Sequence, residues 1–186
     1  MIVCNSDEDV VAGVQDSRRD LGHDRDVDNG RDFQLWVPVD GLKTENSDLQ
    51  LLILTTATRT AIIHMSVYGT IPGVLVNLLE DNAVFKVAVN ASGFVHKMQR
   101  FRTNCRGMLD VGRVAARQGL LENFKAPLSF LSTTILHRRL PVGPVRRMTW
   151  DRDFFPEQER FLVGRGLAIF KVINEVWPRP RLPLGV

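Results

Sequence analysis

Short stretches of apolar and β-branched residues begin at residue 33 and determine the predicted elements of the chain. The stretches at 33–39, 49–56 and 58–68 are rich in Val, Ile, Leu, Thr and aromatic residues, a composition typical of strands. Turn-forming residues at 40–41 and 46–48 separate them. The pattern therefore predicts an antiparallel meander in this part of the chain.

A β-hairpin is predicted over residues 84–102. Its first half is apolar, its predicted turn is at 90–93 (Asn-Ala-Ser-Gly), and its second half alternates apolar residues with basic or polar ones. This alternation predicts one basic strand edge that faces solvent.

Helical spacing is seen in the second half of the chain. Residues 108–124 carry apolar side chains at about 3.6-residue spacing, which predicts a helix. Residues 75–79 fit either a short helix or a strand, because so short an apolar run leaves both open. A strand is predicted over 128–136. A last helix is predicted over Pro156–Trp177, with Asp153 as its N-cap.

Together these elements predict an α+β fold. Its sheet is mainly antiparallel, folded as a sandwich or partial barrel, with one internal helix and a C-terminal helix. Residues 1–32 are rich in Asp and nearly free of aromatic residues, which predicts a flexible acidic arm. Residues 33–177 are predicted to form a single globular domain, and residues 178–186 a proline-rich tail.

Charge is distributed unevenly along the chain. Residues 1–32 hold nine acidic residues against four Arg, whereas residues 97–147 hold eleven Lys or Arg against two acidic residues. We call residues 97–147 the Arg-rich band. A positive field of this size attracts polyanions such as nucleic acid, an anionic membrane surface or an acidic protein.

The function predicted first is that of a non-catalytic, nucleic-acid-associating structural or accessory protein, such as a subunit of a virion or ribonucleoprotein. RNA is expected as the ligand more than DNA, and phosphate contacts are expected to dominate over base readout. The candidate binding residues are nine arginines of the Arg-rich band: Arg100, Arg102, Arg106, Arg113, Arg117, Arg138, Arg139, Arg146 and Arg147.

Two other classes of function stay open. The same basic residues could serve a protein-interaction or peripheral-membrane module. An enzyme with an unrecognised site comes third, since no Gly-x-x-x-x-Gly-Lys phosphate loop, Gly-x-Ser-x-Gly elbow or Gly-x-Gly-x-x-Gly motif occurs. No cofactor is predicted. No metal is predicted either, because the four histidines lie far apart along the chain.

Two short segments resemble known families. Arg102-Thr103-Asn104-Cys105 resembles the start of the signature of Sac-type phosphoinositide phosphatases, which implies a cysteine nucleophile. Val111 stands where that family places Arg. The spacing of Asp24, Asp26 and Asp28 resembles an EF-hand calcium loop, but Gly30 falls one position late and Leu35 stands in place of the bidentate Glu. Neither match predicts a site by itself.

The compartment is predicted to be intracellular, cytoplasmic or nuclear, and the protein is not expected to be secreted. Two cysteines are too few for a disulfide framework, and no apolar run is long enough for a transmembrane segment. Apolar residues at the end of the tail favour a homo-oligomer or a larger assembly.

Overall fold

The computed structural model describes residues 2–4, 8–15, 36–43, 49–56, 59–65, 71–140 and 154–177. The strands are β1 (Ile2–Cys4), β2 (Trp36–Lys43), β3 (Leu49–Thr55), β4 (Thr60–His64), β5 (Phe85–Ala88) and β6 (Met108–Asp110). The helices are α1 (8–15), α2 (Gly73–Glu80), α3 (Ala91–Gln99), α4 (Val111–Arg117), α5 (Leu128–Leu136) and α6 (Pro156–Val176).

The six strands form one mixed sheet in the order β1-β4-β3-β2-β5-β6. β2, β3 and β4 pair antiparallel, as the predicted meander requires. The pairs β1–β4, β2–β5 and β5–β6 are parallel. The mixed α and β composition is thus confirmed. The described strands form an open sheet with three parallel and two antiparallel pairs, in place of the predicted mainly antiparallel sandwich or partial barrel.

Helices cover both faces of this sheet. Leu52, Leu54 and Ile63 face a core that includes buried residues of α1, α2 and α3. Leu51, Ile53 and Ile62 face α6, and Val87 faces a core built from α4, α5 and α6. The central strands β3 and β4 are buried on both faces, which explains why residues 51–54 and 61–63 are all apolar.

The predicted turn at Asp40-Gly41 is wrong, because β2 continues through both residues to Lys43 and stays paired with β3. Asp40 pairs with Ile53 and Gly41 with Leu52. The predicted turn at 46–48 lies outside the described residues.

The predicted hairpin over 84–102 is also wrong, because only its first half is a strand. Asn90 adopts a left-handed conformation (φ 58°), and its side chain accepts a hydrogen bond from the Gly93 N–H, so the predicted turn is the N-cap of α3. Phe94, Met98 and Phe101 follow at i, i+4 and i+7 and pack into the core. That helical period outweighs the apparent alternation.

The strand predicted over 128–136 is the helix α5. Its buried residues Leu128, Leu131 and Ser132 recur at three- and four-residue spacing, and Pro127 occupies the N-cap position. The helix predicted over 108–124 is shorter, because residues 108–110 form β6 and α4 ends at Arg117. The single predicted internal helix is therefore replaced by several.

The predicted C-terminal helix is confirmed as α6, which runs unbroken from Pro156 to Val176. Its N-cap residue is Phe155, whose backbone N–H donates to Gln158 Oε1 (2.9 Å). The predicted cap, Asp153, lies outside the described residues. A Cβ atom on Gly166 would overlap Thr55 Oγ1, so the absence of a side chain lets α6 lie directly on β3.

Residues 1–32 contain two elements that the predicted flexible arm did not include. β1 pairs with β4 in parallel, from Ile2 opposite Ala61 to Cys4 opposite Ile63. Val10 and Val14 of α1 are fully buried in the core. The prediction of a flexible arm is thus wrong at 2–4 and 8–15, whereas the domain boundary at residue 32 stays a prediction. The predicted proline-rich tail (178–186) lies outside the described residues.

Across the described ranges, none of the helices combines the length and apolar character needed to cross a membrane.

Candidate functional site

The parallel strands β5 and β6 end together, at Ala88 and Asp110, at one edge of the sheet, which we call the carboxyl edge. Their parallel neighbour β2 continues past this edge to Lys43. The register places Pro38 opposite Val87, and Ala88 opposite Asp110. Ligands of open α/β sheets bind beyond the carboxyl ends of the strands, where the connections to the helices leave a crevice. This edge is therefore the first place to look for a site.

Asp110 ends β6 and joins two helices at this edge. Its Oδ2 accepts a hydrogen bond from the Ala91 N–H (2.8 Å), and its Oδ1 accepts one from the Arg113 N–H (3.1 Å). The carboxylate thus serves as the N-cap of α4 and also ties the start of α3 to β6. Both oxygens bind backbone groups, which is a structural role.

A small pocket of about 50 Å³ opens at the carboxyl edge between the sheet and α3. It is lined by Val39, Ala88, Val89, Asn90, Gly93, Phe94 and Lys97. Its polar side chains are one amide and one ammonium group. The volume suits a few water molecules, so a nucleotide-sized ligand would have to lie across the surface.

Three side chains beside this edge form a cluster of cations around an aromatic ring. The guanidinium carbon of Arg113 lies 4.8 Å from the centroid of the Phe124 ring, and Lys125 Nζ lies 5.9 Å from it. Arg113 and Lys125 are exposed, and Phe124 keeps 40% of its surface accessible. We call Arg113, Phe124 and Lys125 the Arg–Phe–Lys platform.

The backbone of the platform is held in place. A Cβ on Gly112 would overlap the Phe124 carbonyl oxygen, so the segment after α4 packs directly against its first turn. The Lys125 N–H also donates to Asn123 Oδ1 (2.9 Å). An exposed aromatic residue on a fixed backbone is an unusual feature for a surface loop.

Three of the predicted binding arginines lie at the opposite, amino edge of the parallel strands. Arg100, Arg102 and Arg106 occupy the loop between α3 and β6 and are exposed. Because α3 has nine residues, this loop lies about 13 Å from the start of the helix at the carboxyl edge. The Arg-rich band is thus divided between two edges of the sheet.

The α3–β6 loop is itself well anchored. The Arg106 N–H donates to the Leu79 carbonyl (3.0 Å), and the Asn104 N–H donates to Glu80 Oε1 (3.1 Å). Arg102 adopts a positive φ of 55°, which is uncommon for a residue other than glycine. The loop presents its basic side chains from a fixed backbone.

Three further predicted binding residues lie at or just after the ends of the helices α4 and α5. Arg117 is exposed at the end of α4, and Arg138 and Arg139 are exposed just after α5. Arg146 and Arg147 lie outside the described residues.

Lys86 and Cys105 are two titratable groups that interact near the amino edge, and Cys105 is half-buried. Lys86 is fully buried, and its ammonium group donates to the Asp81 carbonyl oxygen. Burial lowers the pKa of Lys86, while the charges of Asp81 and Cys105 act in the opposite direction. Burial raises the pKa of Cys105 to about 11, although the charge of Lys86 opposes that rise. A thiol with this pKa is protonated at neutral pH, which disfavours a cysteine nucleophile.

Sequence reasoning missed the platform because Phe124 stood at the end of the helix predicted over 108–124 and Lys125 directly after it. The available signal was the aromatic residue next to a cation in the segment 118–127, which holds Gly, Asn and Pro and breaks helical periodicity. Lys97 was counted in the basic band, but its place in the pocket depends on α3 being a helix.

Several solved structures are similar to this chain. The EXD2 exonuclease domain soaked in Mn is 21% identical over 94% of this chain and 88% of that one, with a TM-score of 0.54. The same domain soaked in Mn and GMP gives a TM-score of 0.53, with 21% identity over 100% of this chain and 98% of that one. Escherichia coli RNase D, an exoribonuclease involved in structured RNA processing, gives a TM-score of 0.74 at 15% identity.

This chain corresponds to 44% of the RNase D chain, and the match covers 94% of this chain. No family model matches the sequence, and no curated protein matches it. At these identities the likeness establishes the fold. It also corrects the predicted non-catalytic structural or virion protein, because these solved structures are exonucleases.

Proposed function

We propose that this chain acts on nucleic acid, and that a strand of nucleic acid lies along the carboxyl edge of the sheet. The observation that carries the proposal is the exonuclease fold, which matches RNase D over 94% of this chain. The exposed cations at this edge support it, because Lys and Arg side chains supply most of the binding energy for phosphates.

The likeness favours hydrolysis of phosphodiester bonds as the activity, and a common route to it uses two divalent metal ions about 4 Å apart. Such a centre needs several carboxylates. Within the described ranges, no group of three or more His, Cys, Asp or Glu could hold a metal ion. The pocket lining includes no carboxylate, and both oxygens of Asp110 bind backbone amides.

The described side chains therefore do not fit a two-metal centre, and no hydrolytic step follows from them. Binding of the nucleic-acid substrate is the part of the function that these residues support.

The experiment measures binding and hydrolysis on the same labelled oligonucleotides, single-stranded and duplex, RNA and DNA. Fluorescence anisotropy should show binding that weakens at least about tenfold between about 50 and 200 mM salt, as the release of counterions requires. Gels of end-labelled strands, run with Mn²⁺, with Mg²⁺ and with a chelator, report any shortening from an end.

Each readout tests a different part of the proposal. If the protein binds none of the oligonucleotides at low salt, the whole proposal is refuted. Binding that leaves every strand at full length with either ion would refute hydrolysis while leaving nucleic acid as the ligand. The preference for RNA, a homo-oligomer or larger assembly, and an intracellular location stay predictions.

A further inference from the structure

We infer that the Arg–Phe–Lys platform is a stacking site for an unpaired base of single-stranded nucleic acid. The inference rests on the proposed function and adds to it the form of the substrate and the residues that select it. Three observations support it: the geometry of the cluster, its exposure and its charge.

The geometry brings together the two kinds of surface on which unpaired bases stack. Proteins that bind single strands place bases on aromatic rings or on the plane of an arginine guanidinium group. In the platform these two groups lie against each other, with the Arg113 guanidinium carbon 4.8 Å from the centre of the Phe124 ring. An arginine held over a ring can present its outer face to a base.

Exposure shows that the ring is not part of a core. Phe124 is 40% exposed, and Phe130 on the neighbouring helix α5 is 52% exposed. The close approach to Gly112 is made by the backbone oxygen of Phe124. The position of this segment is therefore explained without any contact of the Phe124 side chain. The packing of the described residues thus leaves the ring available to a ligand.

The positive charge around the Phe124 ring favours nucleic acid as the ligand of this apolar surface. Arg113, Lys125 and the nearby Arg117 are exposed cations, whereas Glu122 is the one acidic residue between Arg113 and Pro127. An apolar patch rimmed by cations complements a base attached to phosphates. Base stacking is indifferent to sequence, because every base has a π face.

The platform is placed where a strand at the carboxyl edge would pass. Arg113 lies in the first turn of α4, directly after the end of β6, and its N–H is capped by Asp110. The carboxylate of Asp110 also contacts the start of α3, whose residues line the pocket. A strand whose base stacks on Arg113 can therefore run along the same edge.

The test compares variants that keep size or charge but remove the stacking surface. Phe124→Leu removes the aromatic ring and keeps an apolar side chain, and Arg113→Lys keeps the charge and removes the planar group. We expect each to weaken binding of a single-stranded oligonucleotide roughly tenfold, the scale of one lost stacked base. Duplex binding and the thermal midpoint of unfolding should change little.

The matched control is Arg160→Gln, which removes a charge from the exposed start of α6, where Arg160 pairs with Glu157 at 3.8 Å. This variant should bind single strands as the wild type does. A second readout uses 2-aminopurine in the strand, because its fluorescence is quenched on stacking. The quenching should be lost in Phe124→Leu and retained in Arg160→Gln.

Two results would overturn the inference. The first is that the wild type binds nucleic acid and both platform variants keep wild-type affinity and quenching. This result would rule out the platform as a stacking site and would leave the proposed function unchanged. The other is binding of polyglutamate that competes with the strand and depends on Phe124 to the same degree, which would indicate an acidic protein as the occupant. A wild type that binds no nucleic acid refutes the proposed function itself.

Discussion

At the scale of single residues, two glycines of α6 differ in what a side chain would meet. A Cβ on Gly166 would overlap Thr55 Oγ1, whereas a Cβ on Gly164 would meet no atom within 4 Å. Ala is favoured over Gly inside a helix by about 1 kcal/mol. Gly164→Ala should therefore raise the free energy of unfolding by up to that amount.

Gly166→Ala should instead lower the free energy of unfolding by about 1–3 kcal/mol, because α6 must move away from β3 to accommodate the methyl group. Urea titrations of both variants measure the two changes in one helix. Equal stabilisation by the two substitutions would show that α6 does not rest on Thr55.

The thiol of Cys105 provides a prediction about pH. Burial raises its pKa to about 11, so at pH 8 the thiolate fraction is about a hundredfold smaller than for a thiol at the ordinary value of 9.0. In a Cys4→Ser background, alkylation by iodoacetamide at pH 8 should be slower than in the guanidinium-unfolded chain by roughly ten- to hundredfold.

The sign of the pH dependence follows from the raised pKa. The alkylation rate of the folded protein should keep rising to about pH 11, whereas that of the unfolded chain should level off above about pH 9. Equal rates for the two states at pH 8 would contradict the burial of this thiol.

At the scale of elements, Asp110 joins three of them at the carboxyl edge. Asp110→Ala removes the cap of α4 and the bond to the start of α3, and should destabilise the protein by about 1–2 kcal/mol. Asp110→Asn retains one carbonyl oxygen that can accept and should cost less. Thermal unfolding followed by circular dichroism gives the order, and a larger loss for Asn than for Ala would contradict the two-bond role.

The strands β2, β3 and β4 and the helix α6 could be predicted from the sequence, because each carries one clear signal. β3 is a continuous apolar run, and α6 begins with Pro156 followed by acidic residues in its first turn. The helices α3 and α5 could not be predicted as readily, because residues 94–101 alternate in part as a period of two requires, and the apolar run at 128–136 suits a strand as well as a helix. The buried residues of both helices instead follow a period of about 3.6. Tertiary packing decided between the two periods.

At the scale of the whole molecule, the parallel pairings and the site at the carboxyl edge could not be read from the sequence. Trp36 pairs with Phe85, so these strands meet across a long stretch of chain that carries no local signal for the contact. The Arg-rich band was recognised as a feature of composition. Its division between two edges depends on α3 running from one edge to the other.

That division gives a prediction about salt dependence. If the strand runs from the carboxyl edge past Arg117, which lies four residues after Arg113 on α4, Arg117→Ala should make the negative slope of log K against log salt shallower by about 0.7, the value for one lost phosphate contact on a single strand. Arg106 is an exposed arginine at the amino edge, and Arg106→Ala should leave the slope unchanged. The reverse result would place the strand across the α3–β6 loop.

The packing of α6 across Leu51, Ile53 and Ile62 also affects how the chain is made in the cell. A ribosome releases these strands long before residues 156–176, so the nascent polypeptide exposes an uncovered aliphatic surface until residues 156–176 have been synthesised. Premature termination upstream of Pro156 would leave that surface exposed and prone to aggregation. Such fragments would depend on chaperones or be degraded.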